Sequence, residues 1–474
     1  MNRRLDTTGE PKLVRRAYAL DRRQFGLAVL AMAVTAAHPR SSLADTDPGL
    51  IKRFTRDGAG DYGGKRWDDA MPIEWLSRSL AQAEPGSTYL IGFQPDKDDA
   101  VAFGGTRVVV QTSGTPEQPI VIQAGSMGDK AAASLLAAPH TLFRSTNAWS
   151  IKSATDVRSV QPFFSIARGA SNLRISGFRI DGTSADGFFK FSGKKDQPQT
   201  YSGVSFSDIQ AANVGRVIET QPGVVLDHLT VANCSVQGIV RGFARFYSIS
   251  NSSFTNLDLD ANHFDGGGKN VCQIIAISEG ENVLFENVTV RNAVNTLNAG
   301  ARDNGAGYVQ GDGIVTEAKT QNFTIRKCHA QGTGDAGFDL KTANVTIEDS
   351  TTEGCKFGVR LWSHSNNVIR RCSFRAPQSQ GHTKGAGLQA IGTVDIYDSH
   401  IEVGADTSAI ALERHRNDEP PHVRVFGGSM QLAEGARVAA GQPGSTLELH
   451  DVSVNGQMRN GNFTFTDTTR HVEL

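Results

Sequence analysis

The chain has 474 residues, a formal net charge of −1 at pH 7 and 39% hydrophobic residues. Because the charge is nearly balanced, it gives no electrostatic basis for binding nucleic acid or an anionic membrane surface, and we expect neither partner. The 50 glycines and the low aromatic content of 7% indicate short strands joined by many tight turns.

Residues 1–44 have the pattern of an export signal. Arg22-Arg23-Gln24-Phe25-Gly26-Leu27 resembles a bacterial twin-arginine signal, and Ser42-Leu43-Ala44 offers small residues at the usual cleavage positions. The apolar run between them, residues 27–37, is shorter than the roughly 20 residues that span a bilayer. We therefore expect no membrane insertion, a mature chain that begins near Asp45, and a periplasmic or secreted bacterial protein.

Residues 45–104 are predicted to be an N-terminal segment with a capping helix. Asp68 or Asp69 is a suitable N-cap, and Pro72 would lie in the first turn. The predicted apolar face of this helix consists of Ile73, Leu76 and Leu80. Such a helix would cover the first coil of the domain that follows, whose open end would otherwise expose its core.

A short motif recurs along residues 105–474: an aliphatic residue or Phe, two variable residues, then a small or apolar residue. Its first residue is Ile175, Phe206, Leu226, Ile249, Phe285, Ile325, Ile347, Ile369, Ile396, Val425 and Leu449. A repeat of about 22 residues with β-branched strands and Asn/Gly/Ser turns is typical of a solenoid. The Leu-x-x-Leu-x-Leu pattern and the asparagine ladder of leucine-rich repeats are not evident. We predict an all-β fold, a single-stranded right-handed parallel β-helix.

The five cysteines are predicted to be small buried side chains. Their odd number argues against a full disulfide framework. Cys328 and Cys372 hold the same place in the repeat as Ser350, and we expect the three to stack. By the same phase argument, Cys234 and Cys355 share a later place.

Two repeats are longer than the rest, and their extra residues indicate a binding face. The additions lie near residues 258–269 and 295–311, with a smaller one near 377–385. All three precede the corresponding strand of their coil, so they should leave the solenoid at one corner. Insertions gathered on one face of a solenoid commonly form its binding surface.

Strand alternation predicts which side chains border this corner. Phe338 and Leu340 should point into the core, so Asp339 and Lys341 should point outward. The two predicted outward rows are Glu317 with Lys341 and Trp362, and Val315 with Asp339 and Arg360. Asp312 and Asp335 would enter two of these strands. A groove with carboxylates, two cations and a Trp suits an acidic sugar chain.

Each of these residues also has a structural interpretation. Lys341 and Arg360 could be cross-strand ion-pair partners, and Asp312 and Asp335 could be ordinary turn residues. Trp362 has less structural reason to be exposed, although the loop after it could shield it. The extended loops offer His263, Arg302 and Tyr308 as further substrate-binding candidates beside Trp362.

Two N-terminal segments carry a family resemblance. Residues 83–88 read Ala-Glu-Pro-Gly-Ser-Thr, and residues 114–120 read Gly-Thr-Pro-Glu-Gln-Pro-Ile. They resemble the opening of secreted β-helix polysaccharide lyases of the alginate lyase and chondroitinase B type. Lys341-Thr342 with Asn344 is similar to the Lys-Ser strand of that family. The family's Leu-x-Leu-Arg-His ending corresponds to Val359-Arg360-Leu361-Trp362-Ser363, which places Arg360 two residues early.

The resemblance implies β-elimination on a uronate-containing polysaccharide. Lys341 would remove the C5 proton, Arg360 would assist, and calcium would neutralise the substrate carboxylate. The carboxylates available for calcium are Asp312, Asp335, Asp339 and Glu317. The Asp-Pro-His-Asp motif of the related mannuronan epimerases is missing, which counts against epimerisation.

Two other functions stay open at this point. Glu317 and Asp339 could be the carboxylate pair of a glycoside hydrolase acting on an exopolysaccharide. A non-catalytic polysaccharide-binding solenoid would need only the groove and Trp362. In each case we expect a monomer.

Overall fold

The computed structural model describes residues 50–472 except 94–100, 104–106, 127–140, 146–161, 168, 183–186, 265–270, 296–308, 381–383, 416–418 and 467–470. The predicted export signal, residues 1–44, lies outside the described residues, as do Arg302 and Tyr308. No helix among the residues described is both long enough and apolar enough to cross a membrane.

Short strands with alternating burial dominate the described residues, as β-branched residues separated by turns require. The first strands are β1 (Ile51–Thr55), β2 (Met71–Pro72), β3 (Thr88–Phe93), β4 (Val101–Phe103), β5 (Val108–Val110), β6 (Ile120–Ser126), β7 (Thr141–Ser145), β8 (Phe164–Ile166), β9 (Leu173–Ser176), β10 (Phe178–Asp181), β11 (Phe189–Phe191) and β12 (Gln199–Ser202). They continue as β13 (Ser205–Ser207), β14 (Gln210–Val214), β15 (Ile218–Thr220), β16 (Val224–Asp227), β17 (Thr230–Ile239), β18 (Ala244–Asp260), β19 (Gln273–Arg291), β20 (Asp312–Arg326), β21 (His329–Gln331), β22 (Ala336–Leu340), β23 (Ala343–Glu348) and β24 (Thr351–Glu353). The last are β25 (Phe357–Leu361), β26 (Asn367–Arg370), β27 (Ser373–Arg375), β28 (Ala386–Ala390), β29 (Thr393–Tyr397), β30 (His400–Val403), β31 (Ser408–Leu412), β32 (His422–Phe426), β33 (Ser429–Leu432), β34 (Arg437–Gly441), β35 (Thr446–Val454), β36 (Gln457–Thr464) and β37 (His471–Val472).

The strands stack as three parallel ladders, so each coil contributes one segment to each ladder. Ladder A includes β3, β6, β9, β13, β23, β26, β29 and β32; ladder B includes β10, β14, β21, β24, β27 and β30; ladder C includes β11, β15, β22, β25, β28, β31 and β34. The long strands β17 to β20 turn corners and take part in more than one ladder. This architecture confirms the predicted all-β parallel β-helix, with its apolar core enclosed by the three ladders.

The parallel pairing begins before residue 105, where we expected it to start. Strand β1 pairs in parallel with β3, and β3 pairs with β6. The one short α-helix among the described residues, α1 (Leu76–Leu80), follows the 3-10 turns Trp67–Asp69 and Ile73–Trp75. Its predicted apolar face is buried: Ile73 is 3% exposed, and Leu76 and Leu80 are fully buried.

The predicted N-cap of this helix is wrong. The backbone around Pro72 is extended and Pro72 itself precedes the second 3-10 turn. Asp69 instead accepts a hydrogen bond of 2.6 Å from the backbone nitrogen of Arg66, so it closes the first 3-10 turn. The cause is that β2 interrupts the segment between the aspartates and the helix.

The predicted register of the C-terminal coils is confirmed. Ile325 pairs with Ile347, and Ile347 pairs with Ile369, all in parallel. Cys328, Ser350 and Cys372 stack beside them. The Cys328 backbone nitrogen donates a hydrogen bond of 3.1 Å to the Ser350 hydroxyl, and the Cys372 thiol donates one to the Ile347 carbonyl. All five cysteines are buried and free, and burial raises the pKa of the Cys328 thiol to about 12.

The register of two earlier repeats is different from the prediction. The sequence predicted that Leu226 follows Phe206 in the stack. Phe206 instead pairs with Val231, and Val231 pairs with Phe254. Leu226 and Ile249 instead pair with each other beside ladder A. The same shift corrects Cys234, which pairs with Leu257 and belongs to the stack of Cys328 rather than with Cys355.

Asparagine side chains form ladders at the turns between the strands. In one, Asn344, Asn322, Asn282 and Asn251 each donate a side-chain hydrogen bond of 2.9–3.2 Å to the residue one coil earlier, ending at Asp227. These four asparagines have φ between 48° and 59°, a left-handed conformation that Asn tolerates better than most residues. The side-chain bonds therefore stabilise turns whose backbone already favours Asn.

The C-terminal edge ends in antiparallel pairs. Strand β36 runs antiparallel to β35, and β37 runs antiparallel to β34. The parallel ladders thus stop at a hairpin, in which Val452 pairs with Arg459 and Val454 with Gln457.

Candidate functional site

Ladder C carries the predicted charged residues in register. Val315 pairs with Asp339, and Asp339 pairs with Arg360, as the alternation predicted. Arg360 in turn pairs with Gln389 on β28, a residue that is not among the predicted site residues. Adjacent strands of a sheet are about 4.8 Å apart, so these side chains form one continuous outward row.

The inward residues of these strands fix that row in place. Phe338 and Val359 are fully buried and pair directly across β22 and β25. Asp339 and Arg360 point the other way, yet they are only 6% and 9% exposed. The outward face of the site is therefore covered by its own polar side chains, and its charges interact in a partly desolvated environment.

Arg360 is held by three kinds of partner. Its Nη2 and Nη1 donate to the two carboxylate oxygens of Asp335 at 2.9 and 3.3 Å, and its Nε donates to Gln389. Nη1 also lies 3.9 Å from Asp339. The guanidinium is 4.5 Å from the ring centre of Phe357, a cation–π distance. This bidentate, stacked arrangement is one that Lys could not reproduce.

Lys341 lies on the more exposed side of the cluster formed by Asp335, Asp339 and Arg360. Its Nζ is 3.1 Å from a Glu317 carboxylate oxygen and 3.7 Å from an Asp339 oxygen. The ring centre of Trp362 is 5.4 Å away. The Lys341 side chain keeps 24% of its surface accessible, so a bound ligand can reach the amine from solvent.

Trp362 is half-buried, whereas the sequence predicted an exposed ring. Its Nε1 donates a hydrogen bond of 2.6 Å to Asp339, and His415 packs against the ring edge-on with centroids 5.3 Å apart. The shielding comes from His415, two coils later, and from the cluster itself. The remaining exposed part of the ring faces the cleft described below.

Asp312 is a buried carboxyl at the start of β20. It is 6% exposed and accepts a hydrogen bond of 3.0 Å from the backbone nitrogen of Ala336. Burial raises the pKa of the Asp312 carboxyl well above its ordinary value, and the negative charges of Asp335 and Asp339 raise it further. The Ala336 hydrogen bond and Arg360 oppose this rise without cancelling it.

The predicted calcium ligands are engaged with cations and donors. Asp335 binds Arg360, Asp339 binds Trp362 and contacts Lys341, and Glu317 binds Lys341. Within the described part of the chain, no group of three or more His, Cys, Asp or Glu side chains is arranged to hold a metal ion. As placed, these side chains do not fit the six to eight oxygens that calcium takes.

The extended segments meet near this site, although much of them lies outside the described residues. Asn295 and Gln310 form an antiparallel bridge at the base of the 295–311 segment. Gln380, from the 377–385 segment, accepts a hydrogen bond of 3.1 Å from the Val309 nitrogen and donates one of 2.7 Å to the Gly334 carbonyl. These contacts place the bases of two predicted insertions at the same corner, next to Asp335.

The 258–269 segment agrees with the prediction less well. Its first three residues belong to strand β18. There the Asp258 carboxylate forms an ion pair with Arg291, with 2.5 Å between Oδ1 and Nη2. His263 is exposed just after that strand, and its backbone nitrogen donates to the Asn292 carbonyl at 3.2 Å. Among the described contacts, none links the His263 side chain to Lys341 or Arg360.

A cleft of about 260 Å³ opens beside Arg360 and Trp362. Its other lining residues are Gln389, Ile391, Glu413, Arg414 and His415. The volume is near the lower end of small-molecule sites, which are about 300–1,000 Å³. Gln389 could have been found by extending the outward row by one coil. The segment Glu413–His415 follows β31 without any motif, so no comparable sequence signal marks it.

The comparisons with known proteins concern the fold. The family model described as the right handed beta helix region matches residues 163–402, slightly more than half of the chain. No curated protein matches the chain. Similar solved structures include the GH136 lacto-N-biosidase from Eubacterium ramulus, with 11% identity, a TM-score of 0.43, and coverage of 86% of this chain and 68% of that one.

Two further solved structures have similar values. The A-module of the Azotobacter vinelandii mannuronan C-5 epimerase AlgE4 has 10% identity and a TM-score of 0.44, covering 86% of this chain and 98% of that one. A mannuronic acid specific polysaccharide family 6 lyase from human gut microbiota has 10% identity and a TM-score of 0.43, covering 85% and 82%. With the family match and the three parallel ladders together, the chain belongs to the right-handed β-helix family.

Proposed function

We propose that this protein is a polysaccharide lyase that cleaves an acidic, uronate-containing polysaccharide by β-elimination. The observation that carries the proposal is the position of Lys341. Its side chain is partly accessible and lies beside Trp362, and it adjoins the row of Asp339, Arg360 and Gln389. Trp362, Arg360 and Gln389 line the cleft. An accessible amine next to an aromatic ring and a guanidinium suits a sugar that carries a carboxylate.

The reaction needs a base and a positive field at the carboxylate. Lys341, as the neutral amine, would take the C5 proton of the uronate, and the C5–H electron pair would form the C4–C5 double bond. The C4–O bond would break, and its oxygen would leave with a proton from solvent. Substrate would have to displace the Glu317 carboxylate, which is 52% exposed and therefore free to move aside.

Arg360 would act from the wall of the cleft. Asp335 and Gln389 fix its guanidinium, so the positive charge is already in place when substrate binds. Arg414 and His415 line the same cleft and would meet the carboxylate of a neighbouring sugar. The ring of Trp362 offers an apolar face on which a sugar can lie.

A hydrolase is the second candidate, and Asp312 favours it. A carboxyl whose pKa is raised well above its usual value stays protonated and can act as a general acid. Asp339, on the neighbouring strand β22, and Glu317, five residues further along β20, supply the other carboxylates. Against this reading, Asp312 is buried beneath the Ala336 backbone and is not among the residues that line the cleft.

Product chemistry distinguishes these functions. Purified protein is incubated with alginate, polygalacturonate and chondroitin sulfate, and the products are followed by the absorbance of unsaturated uronate and by mass spectrometry. The lyase proposal expects unsaturated non-reducing ends. Saturated products with new reducing ends would replace it with the hydrolase, and binding without cleavage would indicate a non-catalytic solenoid.

Calcium and export stay predictions. The roles proposed for Lys341 and Arg360 do not require calcium. The predicted calcium ligands Asp335, Asp339 and Glu317 contact Arg360, Trp362 and Lys341 instead. A loss of activity in chelator that calcium restores would support a calcium requirement. The twin-arginine-type signal predicts a periplasmic or secreted protein, which cell fractionation with and without the Arg22-Arg23 pair replaced by Lys would test.

A further inference from the structure

Three threonine side chains lie in the interior of the solenoid, at the corner that carries Lys341 and Glu317. Thr316 and Thr342 are fully buried, and Thr320 is 3% exposed. The hydroxyl oxygens of Thr316 and Thr342 are 2.6 Å apart, and those of Thr342 and Thr320 are 2.8 Å apart. A buried hydroxyl is costly unless it is hydrogen-bonded, so three of them together require a complete set of partners.

Thr316 interrupts an apolar row on the inward side of ladder C. It pairs in register with Ile277 and Leu340, and Leu340 pairs with Leu361. These neighbours are buried hydrocarbon side chains. Packing against them favours another aliphatic side chain at this position. The hydroxyl of Thr316 is therefore explained by the hydrogen bonds that it makes.

The partners fix the direction of every hydrogen bond in this cluster. Thr320 donates to the Glu317 carbonyl at 2.6 Å, because a carbonyl oxygen can only accept. A hydroxyl has one proton, so Thr342 donates to Thr320, and Thr316 donates to Thr342. Thr316 in turn accepts a hydrogen bond of 3.0 Å from the Lys341 backbone nitrogen. The result is one continuous hydroxyl chain from the Lys341 N–H to the Glu317 carbonyl.

The two ends of this hydroxyl chain belong to the residues whose side chains meet on the outer face. The Lys341 amine is 3.1 Å from a Glu317 carboxylate oxygen. One set of hydrogen bonds therefore holds the backbone of both residues from the inside, and it connects β20 with the turn after β22. Hydrogen bonds in such a chain polarise one another, so the loss of one weakens the others.

Glu317 lies in a β-bulge, where the regular ladder gives its backbone less support. Ile277 of β19 pairs with Thr316 of β20. Two residues later in β19, Glu279 pairs with Lys319, so β20 holds one residue more than β19 over this stretch. A bulge leaves its extra residue unpaired and changes the direction of a side chain, often next to an active site. The hydroxyl chain supplies a hydrogen bond to the backbone within this bulge.

We propose that Thr316, Thr342 and Thr320 are positioning residues for the elimination reaction. They hold the backbone of Lys341 and Glu317, so that the amine keeps its place when substrate moves the Glu317 carboxylate aside. The inference rests on the proposed function, in which Lys341 is the base. The three hydroxyls are buried and do not touch substrate. Their contribution is geometric, because a small displacement of the amine from the C5 proton lowers the rate of proton transfer.

The test removes one hydroxyl and keeps the size of the side chain. Thr342→Val breaks the middle of the hydroxyl chain, and Thr342→Ser keeps the hydroxyl. The matched control is Thr220→Val, at a residue that is 4% exposed and ends β15, three strands before β20 in ladder C. The Thr220 hydroxyl accepts a hydrogen bond of 2.6 Å from the Tyr247 backbone nitrogen, as Thr316 does from Lys341.

The first readout is the rate of unsaturated product formation on the polysaccharide that the parent protein cleaves. We expect Thr342→Val to lower kcat by roughly tenfold and to change KM by less than about twofold. Thr342→Ser should restore most of kcat. Thr220→Val should lower the urea midpoint as Thr342→Val does, but leave kcat and KM unchanged. An unchanged kcat in Thr342→Val, or an equal loss in Thr220→Val, would overturn the inference.

The second readout needs no substrate. Reductive methylation followed by mass spectrometry of peptides measures how fast the Lys341 amine reacts, with Lys319 as the internal reference. We expect Lys341 to react several-fold faster in Thr342→Val, because its amine is held less firmly against Glu317. The rate at Lys319 should not change, and neither rate should change in Thr220→Val.

The two readouts separate this inference from the proposed function. If the parent protein forms no unsaturated product but Lys341 is methylated faster in Thr342→Val, the lyase function is wrong and the positioning of Lys341 stands. If unsaturated product forms and Thr342→Val matches the parent protein in both kcat and methylation, the function stands and the positioning role is wrong.

Discussion

Arg360 and Asp335 form a buried bidentate ion pair between two successive coils, with nitrogen–oxygen distances of 2.9 and 3.3 Å. Both side chains are about one-tenth exposed. The pair joins the turn before β22 to the middle of β25, so it fixes the two coils that carry Lys341 and Trp362. Its integrity is a condition for the geometry of the site.

Breaking this pair on one side should be strongly destabilising. Arg360→Met would leave Asp335 buried beside Asp312 without its cation, while Asp339 would keep Lys341 as a cation partner. We expect a loss of about 3–5 kcal/mol in unfolding free energy. Asp335→Asn should cost less because Asp339 still faces the guanidinium. Urea denaturation of both single variants and the double variant gives the coupling energy. Additive effects would contradict a direct interaction.

Stability should fall as the pH rises above the ordinary pKa of an aspartate. The folded-state pKa of Asp312 is raised, so its contribution to stability is fully present below the unfolded pKa and is lost as pH rises through the folded pKa. Asp312→Asn should remove this loss, giving a gain on the order of 1 kcal/mol or more at alkaline pH. Urea midpoints at several pH values measure it. Asp196→Asn, at an exposed turn, is the control and should show no such gain.

Lys341→Met should abolish turnover and leave polymer binding nearly intact, since the base acts in the transition state. The matched control is Lys319→Met, because Lys319 also forms an exposed strand ion pair, at 2.8 Å from Glu279. Initial rates of unsaturated product and calorimetric affinities provide the two readouts. An active Lys341→Met variant would eliminate this residue as the base and move the hydrolase ahead.

The asparagine ladder allows backbone and side-chain effects to be separated. Asn322 has a φ of 59° and takes part in hydrogen bonds with Asn282 and Asn344. Asn322→Gly and Asn322→Ala both remove the side-chain bonds, but alanine keeps a Cβ in the left-handed region and glycine does not. We expect the alanine variant to be less stable than the glycine variant by about 1 kcal/mol. Thermal unfolding compares them, and equal stability would mean that the turn relaxes.

The sequence predicted the fold and the outward row because both follow from alternation. Once Phe338 and Val359 are assigned to the core, Asp339 and Arg360 have to face outward, and register then brings them together. The error at Leu226 and Ile249 has a physical cause. Each coil holds several strands with similar alternation of apolar and polar residues. When two strands from different ladders are separated by about one repeat length in sequence, their spacing alone does not show that they belong to different ladders.

The cleft was harder to predict because its far wall comes from a later coil. Arg360 and Gln389 are adjacent in space but 29 residues apart in sequence, since the 377–385 segment lengthens that coil. His415 lies further still along the chain and has no repeat-based marker. Burial of Asp312 and Arg360 depends on how neighbouring side chains cover them, which alternation alone does not specify.

The antiparallel return of β36 along β35 has a consequence for self-association. A solenoid that ends in a parallel strand offers an edge on which an identical coil can add, as in templated fibril growth. Reversing the last strand changes the spacing of its free amide and carbonyl groups to the alternating narrow and wide pattern of antiparallel pairs. A further parallel coil does not match that pattern, so we expect the reversed strand β36 to disfavour the addition of an identical coil at this edge.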